Sequence, residues 1–235
     1  MIAVGFDFDH TLALDHALER EAFYKLALEL GHPLEPDDVA NRAQIDTLLA
    51  DFRAGTLSQQ SIVKRFVASL HWQHEIDRDD TDLYREICYT LVGSHMEALP
   101  GARKLIAHLR AQGISTAILT NGWSPLQHKK IEAAIGFDGP ILVSDEIGVL
   151  KPNARAFSHM VEALGASEAD EVWYVGDNPA GDIGGALAAG RRAVWLDHGE
   201  YRYPANLPEP TLRIRELAEL LEHFPGSKEA VEKAH

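Results

Sequence analysis

The pattern of apolar and polar residues changes character along the chain. Residues 2–8, IAVGFDF, form a short apolar run rich in β-formers that ends in acidic residues, which predicts a buried strand. From about residue 16 to residue 95, apolar residues recur at spacings of three and four, without a convincing strand pattern. Gly31 and Pro33 end one helix of this block. The block therefore predicts a bundle of roughly four helices.

From Pro100 onward, helix and strand patterns alternate. Strands that alternate with helices of 10–15 residues are typical of βαβ units and a parallel sheet. We therefore predict an α/β fold, with a Rossmann-like core of residues 1–14 and 97–235 and a helical cap domain of residues 15–96 inserted into it. The predicted helices lie near 101–113, 124–135, 153–164, 180–189 and 214–223, and the predicted strands near 114–120, 141–144, 172–177 and 192–197.

The net charge of the chain indicates which classes of binding partner to expect. The formal net charge is -14, and such a surface repels phosphate backbones, so we do not expect a nucleic-acid polymer as partner. A site for a small anionic substrate would then need local positive charge from a metal ion, a lysine or helix N-termini.

The remaining composition is that of an ordinary globular protein. No run of 18 or more apolar residues is present, so we expect no membrane partner. The first residues, MIAVGFDFDH, lack the basic start and cleavage site of a secretory signal, and the single cysteine, Cys88, excludes an intrachain disulfide. We expect a cytoplasmic protein, and the sequence leaves open whether it is a monomer or a homodimer.

Polar side chains follow four of the predicted strands. In an open α/β sheet, ligands bind beyond the carboxyl ends of the strands. Because the strands are predicted to be parallel, we expect these side chains to meet at one edge of the sheet. They are Asp7, Asp9 and Thr11 after the first strand, Thr120, Asn121 and Gly122 after the second, Lys151 after the third, and Asp177 and Asp182 after the fourth.

These residue types suit phosphoryl transfer. Several converging carboxylates repel one another unless they are protonated or bind a cation, and oxygen-only ligands favour Mg²⁺. Thr120 and the backbone amides of Asn121 and Gly122, just before a helix, are suited to holding phosphate oxygens. Lys151 supplies a point charge for the phosphate and for a nucleophilic carboxylate. The set matches the needs of a phosphoryl-transfer transition state.

Four short segments, in order, resemble the motifs of the haloacid dehalogenase-like hydrolase superfamily. DFDHT resembles the first motif, DxDxT, and LTNG, KPN and GDNPAGD resemble the second, third and fourth. The helical insert after the first motif also matches, so the resemblance implies a Rossmann-like core with a helical cap of the C1 type. Position 10 is His where the family often has Gly, and we interpret His10 as a tolerated loop residue.

The resemblance implies a role for each matching residue. Asp7 would attack phosphorus to form an aspartyl-phosphate, and Asp9 would protonate the leaving oxygen and then accept a proton from the hydrolytic water. The metal ion would bind Asp7, the backbone carbonyl of Asp9, and Asp177. The phosphoryl group would be held by Thr120, Asn121 and Lys151, with Thr11 and Asp182 supporting the site.

The acid at position 9 favours one branch of the superfamily. Members that cleave carbon–halogen bonds lack an acid two positions after the nucleophile, because a halide leaves without a proton. We therefore predict a phosphatase. The stretch LTNGWSPLQHKKIEAAIGFD resembles the branch that acts on nucleoside monophosphates and sugar phosphates, so the expected partner is a small phosphorylated metabolite. Two alternatives stay open: a phosphosugar mutase of the same superfamily, and a phosphoacceptor module similar to a response-regulator receiver.

Overall fold

The computed structural model describes residues 1–53, 56–70, 79–167, 169–199 and 202–224, without the side chains of residues 16, 17 and 53. The chain divides into two compact units. One consists of Met1–Leu14 and Glu97–His235, and the other of Asp15–Met96. In the described part of the chain, no helix combines the length and the apolar character that crossing a membrane requires.

The first unit is built on a sheet of six parallel strands in the order β5-β4-β1-β6-β7-β8. The two central strands are buried, as their apolar sequences predict, and the α/β class with a parallel sheet is confirmed. A second, two-stranded antiparallel sheet joins β2 and β3. The strands are β1 (Ile2–Phe6), β2 (Ala13–Leu14), β3 (Glu97–Ala98), β4 (Ser115–Thr120), β5 (Ile141–Val143), β6 (Glu171–Gly176), β7 (Arg192–Leu196) and β8 (Leu212–Ile214).

The described residues of the second unit form four helices around a cluster of aromatic rings. The ring of Phe23 lies 4.7 Å from those of Phe66 and Tyr84, measured between centroids. Asp79 begins the last of these helices, because its carboxylate accepts a hydrogen bond from the amide of Thr81 at 2.7 Å. The helices are α1 (His16–Glu29), α2 (Val39–Arg53), α3 (Gln59–Ser69) and α4 (Asp80–His95).

The helices of the first unit follow the strands of the sheet. Phe157 and Met160, on the helix Ala154–Ala163, lie in the core with Tyr174 of β6. Met160 lies so close to Gly5 that a Cβ added at Gly5 would fall 2.1 Å from the sulfur of Met160. Close packing therefore explains the glycine in the middle of β1. These helices are α5 (Ala102–Ala111), α6 (Ser124–Ala134), α7 (Ser144–Ile147), α8 (Ala154–Ala163), α9 (Gly185–Ala188) and α10 (Leu220–His223).

Two predicted helices differ from the observed elements. The helix predicted at 180–189 is a π-helix, Pro179–Gly184, followed by the short α9, because the amides of Asp182 and Ile183 share the carbonyl of Asn178. The helix predicted at 214–223 is α-helical only in its last four residues, which form α10. Its first residue, Ile214, ends β8 and is buried beside β7, and a 3₁₀ turn, Leu217–Glu219, precedes α10.

The loop after β1 is a tight turn. The strand ends two residues earlier than predicted. The carbonyl of Phe8 accepts hydrogen bonds from the amides of Thr11, Leu12 and Ala13 instead of pairing with a neighbouring strand. His10 has a φ of 61°, in the left-handed region that favours glycine, which gives a physical reason for the Gly that the motif resemblance leads us to expect at this position. Nε2 of His198 donates to the carbonyl of His10 at 2.6 Å.

Candidate active site

The register of the sheet brings the first and fourth motifs together. Phe6 at the end of β1 pairs with Val175 on β6 and with Ile118 on β4. The amide of Asp7 extends this pairing by donating to the carbonyl of Val175 at 2.9 Å. The residues that follow the three strands therefore emerge side by side at one edge of the sheet, as the sequence predicts.

Lys151 lies at the centre of this edge and is buried. Its Nζ contacts Oδ1 of Asp7 at 2.5 Å, Oδ1 of Asp182 at 2.7 Å and the hydroxyl of Tyr174 at 2.9 Å. These are three partners for three N–H groups, so the ammonium is fully paired. The hydroxyl of Tyr174 donates its proton to the carbonyl of Leu119 at 2.8 Å, so the hydroxyl oxygen accepts the hydrogen bond from Lys151.

Three buried carboxylates crowd around this one lysine. One carboxylate oxygen from each of Asp7, Asp177 and Asp182 lies within 4.8 Å of the others. Burial, opposed by Lys151, raises the pKa of Asp7 to about 7, and burial with the charges of Asp182 and Asp7 raises the pKa of Asp177 well above its ordinary value. Burial opposes the charge on Lys151, but Asp182 and Asp7 outweigh it and raise the pKa of Lys151.

The hydrogen bonds of the three carboxylates show which of them would hold a metal ion. Asp182 is already occupied, because its Oδ1 faces Lys151 and its Oδ2 accepts the amide of Asn178 at 3.0 Å. Oδ2 of Asp7 and Oδ1 of Asp177 instead both lie near the hydroxyl of Thr11, at 3.5 and 3.4 Å. These two carboxylates form an oxygen-only donor set that fits Mg²⁺.

A glycine makes room for the carboxylate of Asp182. A Cβ at Gly176 would fall 2.4 Å from Oδ2 of Asp182 and 2.5 Å from its Cγ, so even alanine would displace this carboxylate. The fourth motif therefore begins with Gly because Asp182 turns back over the end of β6 to reach Lys151 and Asn178.

The second motif forms a loop between β4 and α6. Thr120 is buried, and the side chain of Asn121 clasps the backbone of Lys151: its Oδ1 accepts the Lys151 amide at 2.9 Å, and its Nδ2 donates to the Lys151 carbonyl at 3.1 Å. The amide of Gly122 donates to the hydroxyl of Ser144 at 3.0 Å. Asn121 thus joins the second and third motifs, and both of its side-chain bonds go to the protein backbone.

Asp9 has two partners that the sequence reasoning missed. Nζ of Lys130 lies 2.5 Å from its Oδ1, and Nε2 of Gln127 donates to its Oδ2 at 2.7 Å. Both partners lie on the buried face of α6, among Leu126 and Ile131. The sequence did contain a signal for these partners. Gln127 and Lys130 occupy positions of the helical pattern that face the core, where apolar residues are expected.

The chain is similar to known proteins over most of its length. A family model described as haloacid dehalogenase-like hydrolase matches residues 1–190. The putative HAD-hydrolase YfnB of Bacillus subtilis is 29% identical over 220 residues, which is 92% of each chain. A crystal structure of YfnB bound to magnesium superposes with a TM-score of 0.75 and 26% identity, over 94% of this chain and 97% of that one.

Two further relatives match over a shorter region. The phosphoserine phosphatase of Thermus thermophilus is 38% identical over 123 residues, covering 52% of this chain and 49% of that protein. The pyrimidine 5'-nucleotidase YjjG of Escherichia coli is 33% identical over 124 residues, covering 52% and 54%. These alignments therefore span about half the length of each relative.

Proposed function

Because this chain belongs to the haloacid dehalogenase-like hydrolase family, as its motifs predicted, we propose that it is a magnesium-dependent phosphatase of small phosphate monoesters. The observation that carries the proposal is the buried Asp7–Lys151 pair beside Asp177, with Asp9 two residues after Asp7. Relatives named as a phosphoserine phosphatase and a nucleotidase support a phosphate ester as substrate. The substrate class stays as predicted: nucleoside monophosphates or sugar phosphates.

In the proposed reaction, Asp7 is the nucleophile. Its carboxylate oxygen bonds to phosphorus while the bond from phosphorus to the leaving oxygen breaks, which gives an aspartyl-phosphate. Lys151 favours the ionised carboxylate and supplies positive charge near the phosphoryl oxygens. Asp7, Asp177 and, as the motif resemblance implies, the backbone carbonyl of Asp9 would hold Mg²⁺. The ion would add positive charge that stabilises the phosphoryl group.

Asp9 moves the protons. In the first step its carboxyl group gives a proton to the leaving oxygen, which departs as an alcohol. In the second step its carboxylate accepts a proton from water while the water oxygen attacks phosphorus, and the bond to Asp7 breaks to release phosphate. This acid also supports a phosphatase over a dehalogenase, because a halide leaves without protonation.

The loop of the second motif binds the phosphoryl group in this proposal. The hydroxyl of Thr120 and the backbone amide of Asn121 lie just before α6, whose N-terminus favours an anion. The side chain of Asn121 contributes indirectly, by holding the backbone of Lys151. Asp182 and Thr11 support the site by orienting Lys151 and the two metal-binding carboxylates, respectively.

The test is phosphate release from a panel of probes with and without Mg²⁺. The panel contains p-nitrophenyl phosphate, nucleoside monophosphates, sugar phosphates, phosphoserine and glycerol phosphate. Magnesium-dependent, multiple-turnover release supports the proposal, and no release from any probe contradicts it. Conversion of a sugar phosphate to its isomer would instead support the mutase alternative. Stoichiometric phosphorylation without turnover would support the receiver-like alternative, although the family match already favours a hydrolase over a receiver-like module.

The domain boundaries at residues 14 and 97, the cytoplasmic location, and the monomeric or homodimeric state stay predictions from the sequence. The same holds for the individual roles of the site residues. Variants at Asp7, Lys151 and Asp177 test these roles one at a time.

A further inference from the structure

We propose that Gln127 and Lys130 are positioning residues that hold the carboxyl group of Asp9 in line with the leaving oxygen. The inference rests on the proposed function, in which Asp9 moves the protons. Its basis is that each oxygen of Asp9 has its own partner. Oδ1 forms an ion pair with Nζ of Lys130 at 2.5 Å, without the geometry of a hydrogen bond, and Oδ2 accepts a hydrogen bond from Nε2 of Gln127 at 2.7 Å. The hydrogen bond and the ion pair act on different oxygens and so restrict both the position and the rotation of the carboxyl group.

The burial of Lys130 argues for a function beyond packing. Its side chain is 4% exposed, whereas that of Asp9 is 25% exposed and opens to solvent. A buried charge costs free energy even when it is paired, and an apolar residue of similar volume often stabilises the fold as well or better. Lys130 lies between Leu126 and Ala134 on the buried stripe of α6, where fold stability alone favours an apolar side chain.

Gln127 connects Asp9 to the loop that binds phosphate in our proposal. Its Nε2 lies 3.0 Å from the hydroxyl of Thr120 and 2.9 Å from the carbonyl of Asn121, in addition to its contact with Asp9. One amide group therefore contacts both the proton-transfer residue and the second motif. Since α6 begins in that motif, its spacing of three residues from Gln127 to Lys130 keeps the proton donor at a fixed distance from the phosphoryl site.

The chemistry of the leaving group separates positioning from general packing. An alkyl phosphate must receive a proton as its oxygen leaves, whereas p-nitrophenolate is stable enough to leave without one. A residue that only supports the fold or the phosphate site slows both substrates alike. A residue that holds Asp9 lowers kcat/KM for the alkyl phosphate selectively, because kcat/KM reports the reaction up to formation of the aspartyl-phosphate. The second step, in which Asp9 accepts a proton from water, is common to both substrates and affects only kcat.

The experiment measures kcat and KM for Lys130→Met and Gln127→Met with two substrates. These are p-nitrophenyl phosphate and the alkyl phosphate of the panel that the wild type hydrolyses fastest. General acid catalysis contributes about 10²–10⁴-fold, so we expect kcat/KM on the alkyl phosphate to fall about 10–100-fold in each variant. The ratio of alkyl to p-nitrophenyl kcat/KM should fall at least about 10-fold. Lys104→Met, which removes an exposed lysine of α5, should leave this ratio unchanged.

A double-mutant cycle tests whether Lys130 acts through Asp9. In the Asp9→Asn background, Lys130→Met should cause no further loss of kcat on p-nitrophenyl phosphate, because the group that it positions is already gone. Equal losses of kcat/KM on both substrates, multiplicative losses of kcat in the cycle, or wild-type kinetics would each overturn the inference while leaving the phosphatase proposal intact. An inactive wild type would overturn both. If Lys130→Met does not fold, Gln127→Met carries the same comparison.

Discussion

The ammonium group of Lys151 lies 2.5 Å from a carboxylate oxygen of Asp7, although 144 positions separate the two residues in the chain. The contact is buried, and the same ammonium group also pairs with Asp182 at 2.7 Å. One lysine therefore compensates two carboxylates, and the nearby Asp177 adds a third. Because of this imbalance of charge, we expect the site to depend on a cation, on pH and on every member of the cluster.

Substitution of the nucleophile should abolish turnover without loss of the fold. Asp7→Asn keeps the shape of the side chain, but an amide does not attack phosphorus. We expect phosphate release to fall below detection for every probe in the panel, while the far-ultraviolet circular dichroism spectrum stays that of the wild type. Turnover close to that of the wild type would contradict covalent catalysis by Asp7.

The stability of the metal-free protein should fall as pH rises from about 4 to about 7. The pKa of Asp7 is about 7 in the folded chain, against an ordinary value of 3.8, so the folded state binds the proton more tightly than the unfolded state does. The stabilisation is complete below the ordinary pKa and is lost as pH rises through the folded one. Urea unfolding with a chelator at about pH 5 and about pH 8 measures the difference.

Asp7→Asn provides the control for this pH dependence. The variant should lose part of it, since Asp177 has a raised pKa and contributes in the same direction. An unchanged slope in the variant, or a stability that rises between the two pH values in the wild type, would show that Asp7 ionises normally in the folded chain.

Removal of the central lysine should strongly destabilise the protein. Lys151→Met leaves the buried carboxylates of Asp7 and Asp182 without their shared counter-charge, and breaking a buried ion pair costs about 3–5 kcal/mol in free energy of unfolding. Lys104→Met, at an exposed position, should change it by less than about 0.5 kcal/mol. A loss at Lys151 as small as that at Lys104 would mean that the pair is solvated.

Alanine at the first position of the fourth motif should displace Asp182. A Cβ at Gly176 would fall 2.4 Å from the carboxylate, so we expect Gly176→Ala to destabilise the chain by about 1–3 kcal/mol and to reduce activity. Gly93 is a matched control on the exposed side of helix α4, because a Cβ added there would meet no atom of the described residues within 4 Å outside its own stretch of helix. Gly93→Ala should stabilise by about 0.5–1 kcal/mol. Equal effects of the two substitutions on thermal unfolding would contradict this assignment.

Magnesium should stabilise the protein through the same carboxylates that we assign to the metal. A ligand at 100 times its dissociation constant adds about 2.7 kcal/mol to the free energy of unfolding, so saturating Mg²⁺ should raise the melting temperature of the wild type measurably. Asp177→Asn should greatly reduce this shift, and a chelator should abolish phosphate release. A full shift in Asp177→Asn would place the metal elsewhere.

The sequence determined the class of fold and grouped the polar residues that follow the strands. Alternation of strands and helices predicted the parallel sheet, because each period reports which face of an element is buried. Parallel strands end at a common edge, so the polar residues that follow them had to meet there. Asp7, Asp177 and Lys151 could therefore be grouped from their positions in the chain alone.

Only the tertiary structure decided how charges pair within that group. The motif resemblance implied a metal-binding role for Asp177 and a supporting role for Asp182, but the contacts came from the structure: the turn of the π-helix points Asp182 at Lys151 and leaves Asp177 beside Asp7. Likewise, Gln127 and Lys130 meet Asp9 only because α6 packs with that face towards the loop after β1. A linear pattern reports which residues are buried, whereas the partner of a buried charge depends on distances between segments that are far apart in the chain.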